Sequence, residues 1–287
     1  MGVLNPLKQS VVIIGAGTQG RRLAYMWSSR GGHVHLVDLD EKQLQEGRLY
    51  IQQLRAATVG HDGNWGDITT SSPNSLKSIL QDAWLVIECV PESLTLKQKL
   101  IAQLDEYAPE NTIIASNSSS YGISEILSGL KLRNNKRALS AHCSIEIMGH
   151  RETDPALIAL LSQQCGAHGF TPFHVKQSSV GYIYNRIWAA IKRETLLALA
   201  EGVGTPQEID AIFKDVLKTG KGPCELMDIV GMDVVLDIEK HYADCRVGLP
   251  RQPRDYLQNM IQNGYLGVKC GRGFYNYTGT QDREHML

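Results

Sequence analysis

Short runs of apolar, largely β-branched residues recur along the first half of the chain: Val11–Ile14, Val34–Val37, Trp84–Cys89 and Asn111–Ala115. Val11–Ile14 has the pattern of a strand buried on both faces, Trp84–Cys89 and Asn111–Ala115 read as further buried strands, and Val34–Val37 reads as a second strand. Arg137–Ala141 adds another, and Gly66-Asp67-Ile68 marks a short one. Between them the spacing becomes helical. Arg21–Ser29 places Leu23, Ala24 and Trp27 on one face, and the stretch after Asp38 offers Leu44, Leu49, Ile51 and Leu54 as a buried side. Pro91 halts the third run, and a helix is predicted from Ser93 to Tyr107. Strand alternating with helix implies an α/β domain with a doubly wound parallel sheet. In such sheets ligands lie beyond the carboxyl ends of the strands. Glu92, Ser119 and His142 each follow a strand end, so topology alone gathers them.

From Gly181 the pattern changes. Residues 181–202 read as one long helix, and Thr205-Pro206-Gln207-Glu208 supplies an N-cap, a first-turn proline and a capping box for another. Val230–Tyr242 and Pro253–Gln262 are helical in spacing, and no convincing strand follows about Val175. Two domains are expected: residues 1–178, and a smaller all-helical domain over 179–287. Val59–Ser75 is polar and glycine-rich and reads as loop. Residues 279–287 read as a frayed tail.

The chemistry begins at Gly15-Ala16-Gly17-Thr18-Gln19-Gly20, between the first strand and the first helix. Gly15 allows the tight turn, Gly17 has no Cβ to keep a pyrophosphate from the backbone, and Gly20 lets the helix press on the sheet. The helix N-terminus offers unpaired N–H groups and a partial positive charge to phosphates. Asp38 stands eighteen residues beyond Gly20, where a carboxylate can accept both ribose hydroxyls of an adenosine. A strand, this turn, a helix and that acid form the dinucleotide-binding fingerprint of a Rossmann domain. Asp38 would repel a 2′-phosphate, which favours NAD over NADP, although Arg21 and Arg22 could serve phosphates.

Composition narrows the field further. With 287 residues, 43% hydrophobic and 21% charged, the chain is an ordinary globular protein too long for one comfortable core. A net charge of −1 makes no electrostatic case for nucleic acid or a membrane surface. No run approaches a spanning helix, the N-terminus is no signal peptide, and its Met-Gly start lacks the acylation motif because Pro6 occupies the sixth position. The six cysteines show no metal-ligand spacing and read as reduced thiols of a cytoplasmic protein. The nine histidines form no cluster, so no metal is expected.

These motifs in order resemble the 3-hydroxyacyl-CoA dehydrogenases, with the related hydroxy-acid dehydrogenases and λ-crystallin. The resemblance rests on GAGTQG with Asp38, on Glu88-Cys89-Val90-Pro91-Glu92 with Lys97, on Ser116-Asn117-Ser118-Ser119-Ser120, and on His142 with Glu146. The second half adds Ser178–Arg186, Lys221-Gly222-Pro223 and Lys269–Tyr275. It implies an NAD-dependent oxidoreductase that interconverts a 3-hydroxyacyl, or related β-hydroxy acid, and its 3-keto form. Glu92, Lys97 and Lys269 would help hold the NAD. Ser119 and Asn185 would hydrogen-bond the substrate's reacting oxygen or its neighbourhood, and His142, oriented by Glu146, would be the general acid/base. A carboxylate beside an imidazole favours the protonated ring. The substrate would be a small β-hydroxy or β-keto molecule, CoA or other thioesters included, and a homodimer is implied.

One departure stands out. Family members usually carry about ten residues between that histidine and that glutamate, whereas only Cys143, Ser144 and Ile145 intervene here. Two readings stay open. The dyad survives beside a widened pocket, or the scaffold binds NAD and serves non-redox chemistry, as a cyclase, isomerase or binding module. Tyr182 also stands where the family commonly has phenylalanine. Cys143 beside His142 suggests a thiol nucleophile, without the parts such a site needs.

Overall fold

The computed structural model describes residues 4–278 apart from 7, 61, 62 and 144, so the expected tail at 279–287 and the Met-Gly start lie outside the described residues. Two compact units divide at Ile183/Tyr184.

In the first unit the elements run β1 (Ser10–Ile14), α1 (Thr18–Trp27), β2 (Val34–Val37), α2 (Glu41–Ala57), β3 (Ile68–Ser71), α3 (Leu76–Ile79), β4 (Ala83–Glu88) and α4 (Leu94–Tyr107). They continue with β5 (Ile113–Ser116), α5 (Ile123–Ile126), β6 (Ala138–His142), β7 (Glu146–Gly149), α6 (Pro155–Ala167) and β8 (Phe173–His174). The eight strands form one sheet in the order β3-β2-β1-β4-β5-β6-β7-β8. The pairings through β6 are parallel, and β7 turns back antiparallel to β6. The strand order reverses beside β1, which leaves a crevice at the carboxyl ends of β1 and β4.

The predicted double burial is borne out in β1. Val11 and Ile13 enter one apolar cluster with Leu23, Trp27 and Leu36, while Val12 and Ile14 enter another with Val37, Ile101 and Leu104. Trp27 on α1 meets Trp84 on β4 edge to face, centroids 5.6 Å apart. Leu49, expected on the buried side of α2, is instead 60% exposed. At about 100° per residue it lies some 140° around the helix from Leu44. Strand β7 and helix α6 escaped the sequence pattern, because Glu146–Gly149 neither alternates nor is continuously apolar. Asp154 caps α6 by accepting from the Ala156 N–H, with Pro155 in its first turn.

The second unit contains α7 (Tyr184–Ala200), α8 (Pro206–Leu217), α9 (Pro223–Val230), α10 (Met232–Cys245) and α11 (Gln252–Gln262). The capping box at Thr205 and Glu208 forms as predicted. The helix expected over Val230–Tyr242 is broken at its start, because Gly231 takes φ 100° and ends α9 before α10 begins. Two buried carboxylates explain the motifs of this half. Asp210 accepts the N–H groups of Cys224 and Glu225 and the Tyr275 hydroxyl, and Asp228 accepts those of Phe274 and Tyr275 and the Tyr277 hydroxyl. Gly222 and Gly273 lie against these side chains, where a Cβ would come within 2.4 Å and 1.8 Å of them. The Lys-Gly-Pro and Cys-Gly-Arg-Gly-Phe-Tyr stretches are therefore held by packing and hydrogen bonding inside this unit.

Candidate active site

The glycine turn carries the geometry its sequence predicts. Gly15 has φ 107°, and a Cβ there would meet the Cys89 carbonyl oxygen at 2.5 Å. A Cβ on Gly20 would sit 1.7 Å from the Gly15 carbonyl oxygen, so α1 approaches the sheet only with glycine there. A Cβ on Gly17 would meet nothing within 4 Å, leaving the backbone open to the cleft. Gly17 is the N-cap of α1, and no side chain caps this end or brings an acid into its first turn. Those amides are donors for an anion.

Two adjoining cavities share Gly17, Cys89 and Val90. The larger, of about 740 Å³, runs past Asp38 between Val37, Leu39, Leu76, Leu96 and Leu100 and suits an adenosine. Asp38 is fixed from both sides, Oδ2 accepting the Ala16 N–H at 2.6 Å and Oδ1 the Asp40 N–H at 2.9 Å. Ala16 is fully buried, and its carbonyl oxygen also accepts the Arg21 Nε–H at 3.2 Å. The smaller cavity, of about 360 Å³, is lined by Gly17, Thr18, Gln19, Glu92, Lys97, Asn117, Ser119 and His142. Turn, carboxylate, hydroxyl and imidazole thus meet in one place. These residues fit a dinucleotide laid across the turn.

Lys97 is buried, and its ammonium lies 3.0 Å from both oxygens of Glu88 and 3.2 Å from Glu92. Glu88, itself fully buried, also accepts the Ser116 hydroxyl. Burial lifts the Glu88 carboxyl above its usual range, against the pull of Lys97. Glu92 ends below its ordinary value: burial raises it, but Lys97, the Ser118 hydroxyl and the Ser120 N–H outweigh that. Lys97 therefore holds two carboxylates in place at the cavity's floor, a role its sequence position did not reveal.

His142 ends β6 and is the register partner of Glu146, the first residue of β7. The turn between them closes with the Ile145 N–H donating to the His142 carbonyl, and Cys143 enters the left-handed region at φ 50°. Asn117 accepts the Cys143 N–H at 2.6 Å. Glu146 is buried and accepts the Ile183 N–H at 2.8 Å. The His142 pKa is lowered, since burial outweighs the favourable charges of Glu146 and Glu92. The expected bias toward a protonated ring is thus reversed: desolvation of the cation wins. Cys143 Sγ lies 3.7 Å from both His142 Nε2 and Gln19 Oε1. Burial raises its pKa, which keeps it a thiol and argues against a nucleophile.

Asn117 and Tyr182 were not singled out by sequence reasoning as site residues. A polar residue directly after a buried strand was the available signal for Asn117. Asn185 stands in the first turn of α7, half-buried, and Lys269 pairs with Asp233; both are in the helical unit.

Comparison with known proteins agrees with this geometry. The 3-hydroxyacyl-CoA dehydrogenase NAD binding domain matches residues 10–178, and the C-terminal domain of the same family matches residues 181–277. A probable 3-hydroxybutyryl-CoA dehydrogenase of Bacillus subtilis is 26% identical over 283 residues, covering 94% of this chain and 97% of that protein. The mitochondrial hydroxyacyl-coenzyme A dehydrogenase of Homo sapiens is 27% identical, over 93% of this chain and 90% of its own. Among solved structures, the (S)-3-hydroxybutyryl-CoA dehydrogenase of Ralstonia eutropha superposes with a TM-score of 0.81 at 28% identity, covering 94% of this chain and 99% of that one. With both family domains matched in order along nearly the whole sequence, the chain belongs to the 3-hydroxyacyl-CoA dehydrogenase family of NAD-dependent oxidoreductases.

Proposed function

We propose that this enzyme interconverts a 3-hydroxyacyl thioester and its 3-keto form with NAD, using His142 as the general acid/base. The observation that carries the reading is the shared cavity, in which His142 and Ser119 face the same space as Gly17, Thr18 and Gln19. Bound NAD would supply the hydride chemistry. The residues manage the rest. The glycine turn and the α1 amides would hold the pyrophosphate, Asp38 the adenosine ribose, and Glu92, positioned by Lys97, the far end of the cofactor. His142, neutral through burial, takes the hydroxyl proton while Glu146 stabilises the cation that forms. The Ser119 hydroxyl supports negative charge developing on the reacting oxygen.

The assignment of CoA follows the names of the relatives. Among the described residues no helix is long and apolar enough to cross a membrane, and the cysteines are free thiols, as suits a reducing cytoplasmic compartment. A homodimer, as the resemblance implies, would cover Ile212, Val216 and Leu217, which α8 leaves 64%, 69% and 55% exposed.

Titration with NADH, followed by steady-state reduction of short 3-ketoacyl-CoA thioesters, tests the proposal. Saturable binding with turnover is expected; binding without turnover on any such thioester would refute the redox role. Asp38→Ala should weaken NAD about 10–100-fold while affecting NADP less, the size of lost charge-assisted hydrogen bonds. A larger loss for NADP than for NAD would reverse the NAD preference.

A further inference from the structure

One aromatic residue of the first unit touches the acid/base without lining the cavity. The Tyr182 ring lies nearly parallel to the His142 imidazole, at 12° with centroids 5.4 Å apart, an offset stack. Tyr182 is 2% exposed, and its hydroxyl donates to the Ser118 carbonyl at 2.7 Å, beside Ser119. Its backbone is pinned at both ends by Ser179: the Tyr182 N–H donates to the Ser179 carbonyl at 3.2 Å, and the Ser179 hydroxyl donates to the Tyr182 carbonyl at 3.2 Å. Gly181 and Tyr182 both occupy the left-handed region, at φ 75° and 55°. That conformation is costly for a bulky residue and persists where its surroundings impose it. The next N–H, of Ile183, is the one that Glu146 accepts. A single strained turn therefore presents a ring to the imidazole and a donor to its carboxylate partner.

We infer that Tyr182 is a positioning residue for His142, its ring fixing the tilt of the imidazole and excluding water from one face while its hydroxyl ties that ring to the Ser119 loop. The short hairpin makes the need for it plain. Only three residues separate His142 from Glu146, leaving little chain there to cover the ring. The inference rests on the proposed acid/base role of His142. The groups facing the imidazole are Glu146 from β7, Glu92 from the segment after β4, and the Cys143 thiol from the turn. Both carboxylates favour the cation, so the dry face against Tyr182 is part of what holds His142 neutral.

The test compares the parent with Tyr182→Phe and Tyr182→Gly in the full chain, following the His142 ring proton by NMR titration alongside NADH binding and turnover. Glycine accepts φ 55° without penalty, so the turn keeps its conformation in that variant. Tyr182→Gly should move the His142 midpoint upward, toward or past the ordinary value of about 6.5, as water reaches the ring. It should also lower kcat about 10–100-fold, the scale of a misplaced catalytic group, with the KM for NAD changed less than about twofold. Tyr182→Phe keeps the stack and should restore the midpoint and most of kcat. Identical midpoints in all three proteins would overturn the inference, whatever turnover does. If Tyr182→Gly fails to fold, Tyr182→Asn, which tolerates the left-handed region and leaves the ring face open to water, gives the same comparison. A parent that binds NADH but turns nothing over would refute the proposed function, while the titration would still decide the placement of the ring.

Discussion

Replacing His142 with alanine is expected to lower kcat by about 10²–10⁴-fold, the usual range for loss of a general acid/base. The imidazole ends β6 and lines the cavity with the glycine turn, but makes no part of the apolar clusters. NADH affinity and thermal stability should therefore change little, and fluorescence titration and a melting curve on the same sample would show it. Turnover within tenfold of the parent would remove His142 from the mechanism. The pH dependence follows from burial, which lowers the His142 pKa below its ordinary value of 6.5. In the oxidation direction the neutral ring accepts the proton, so kcat/KM should be flat at neutral pH and fall as acid protonates the ring. Reduction needs the protonated ring and should gain as pH falls over the same range. The sign for stability is the same as for oxidation. A histidine with a depressed folded pKa contributes stability above its unfolded pKa and loses it as pH falls through the folded value.

Lys97→Met should cost about 3–5 kcal/mol of stability, because removing one partner of a buried ion pair leaves the other charge uncompensated. The stranded group is Glu88, fully buried, with both oxygens 3.0 Å from the ammonium. Denaturant unfolding at pH 7 would measure the loss. Combining Lys97→Met with Glu88→Gln should recover most of it, since a neutral amide replaces the orphan charge. Acid should also help the single variant. The Glu88 pKa is already raised by burial and rises further without Lys97. A raised carboxyl contributes stability that is full below its unfolded pKa and lost as pH climbs through the folded one. The defect is therefore greatest at neutral pH. Equal stability of the single and double variants would show that the pair makes no net demand on the fold.

Much of the first unit was legible because its signals are local. A buried parallel strand must be apolar on both faces, so β1, β2, β4 and β5 announce themselves. The glycine turn is dictated by backbone conformation and close approach, and the contacts at Gly15 and Gly20 agree with each role assigned to them. Strand β7 carried no such signal, being a short return between β6 and β8 whose pairing with β6 is a matter of register. Leu49 was misread because apolarity alone does not give an angle around a helix.

The chain's own residues determined the Rossmann sheet, the helical second half, the dinucleotide fingerprint and the candidacy of His142, since each depends on neighbours close in sequence. Only the tertiary structure decided that Lys97 serves Glu88 and Glu92, that the Tyr182 ring lies along the imidazole, and that burial lowers the His142 pKa. Those outcomes depend on how separate segments pack: Lys97 meets Glu88, nine positions back, across a turn, and Tyr182 reaches Ser118, 64 positions back, and His142 from the end of the unit. A charge state depends on how much water each group loses, and that is settled only when the chain has packed.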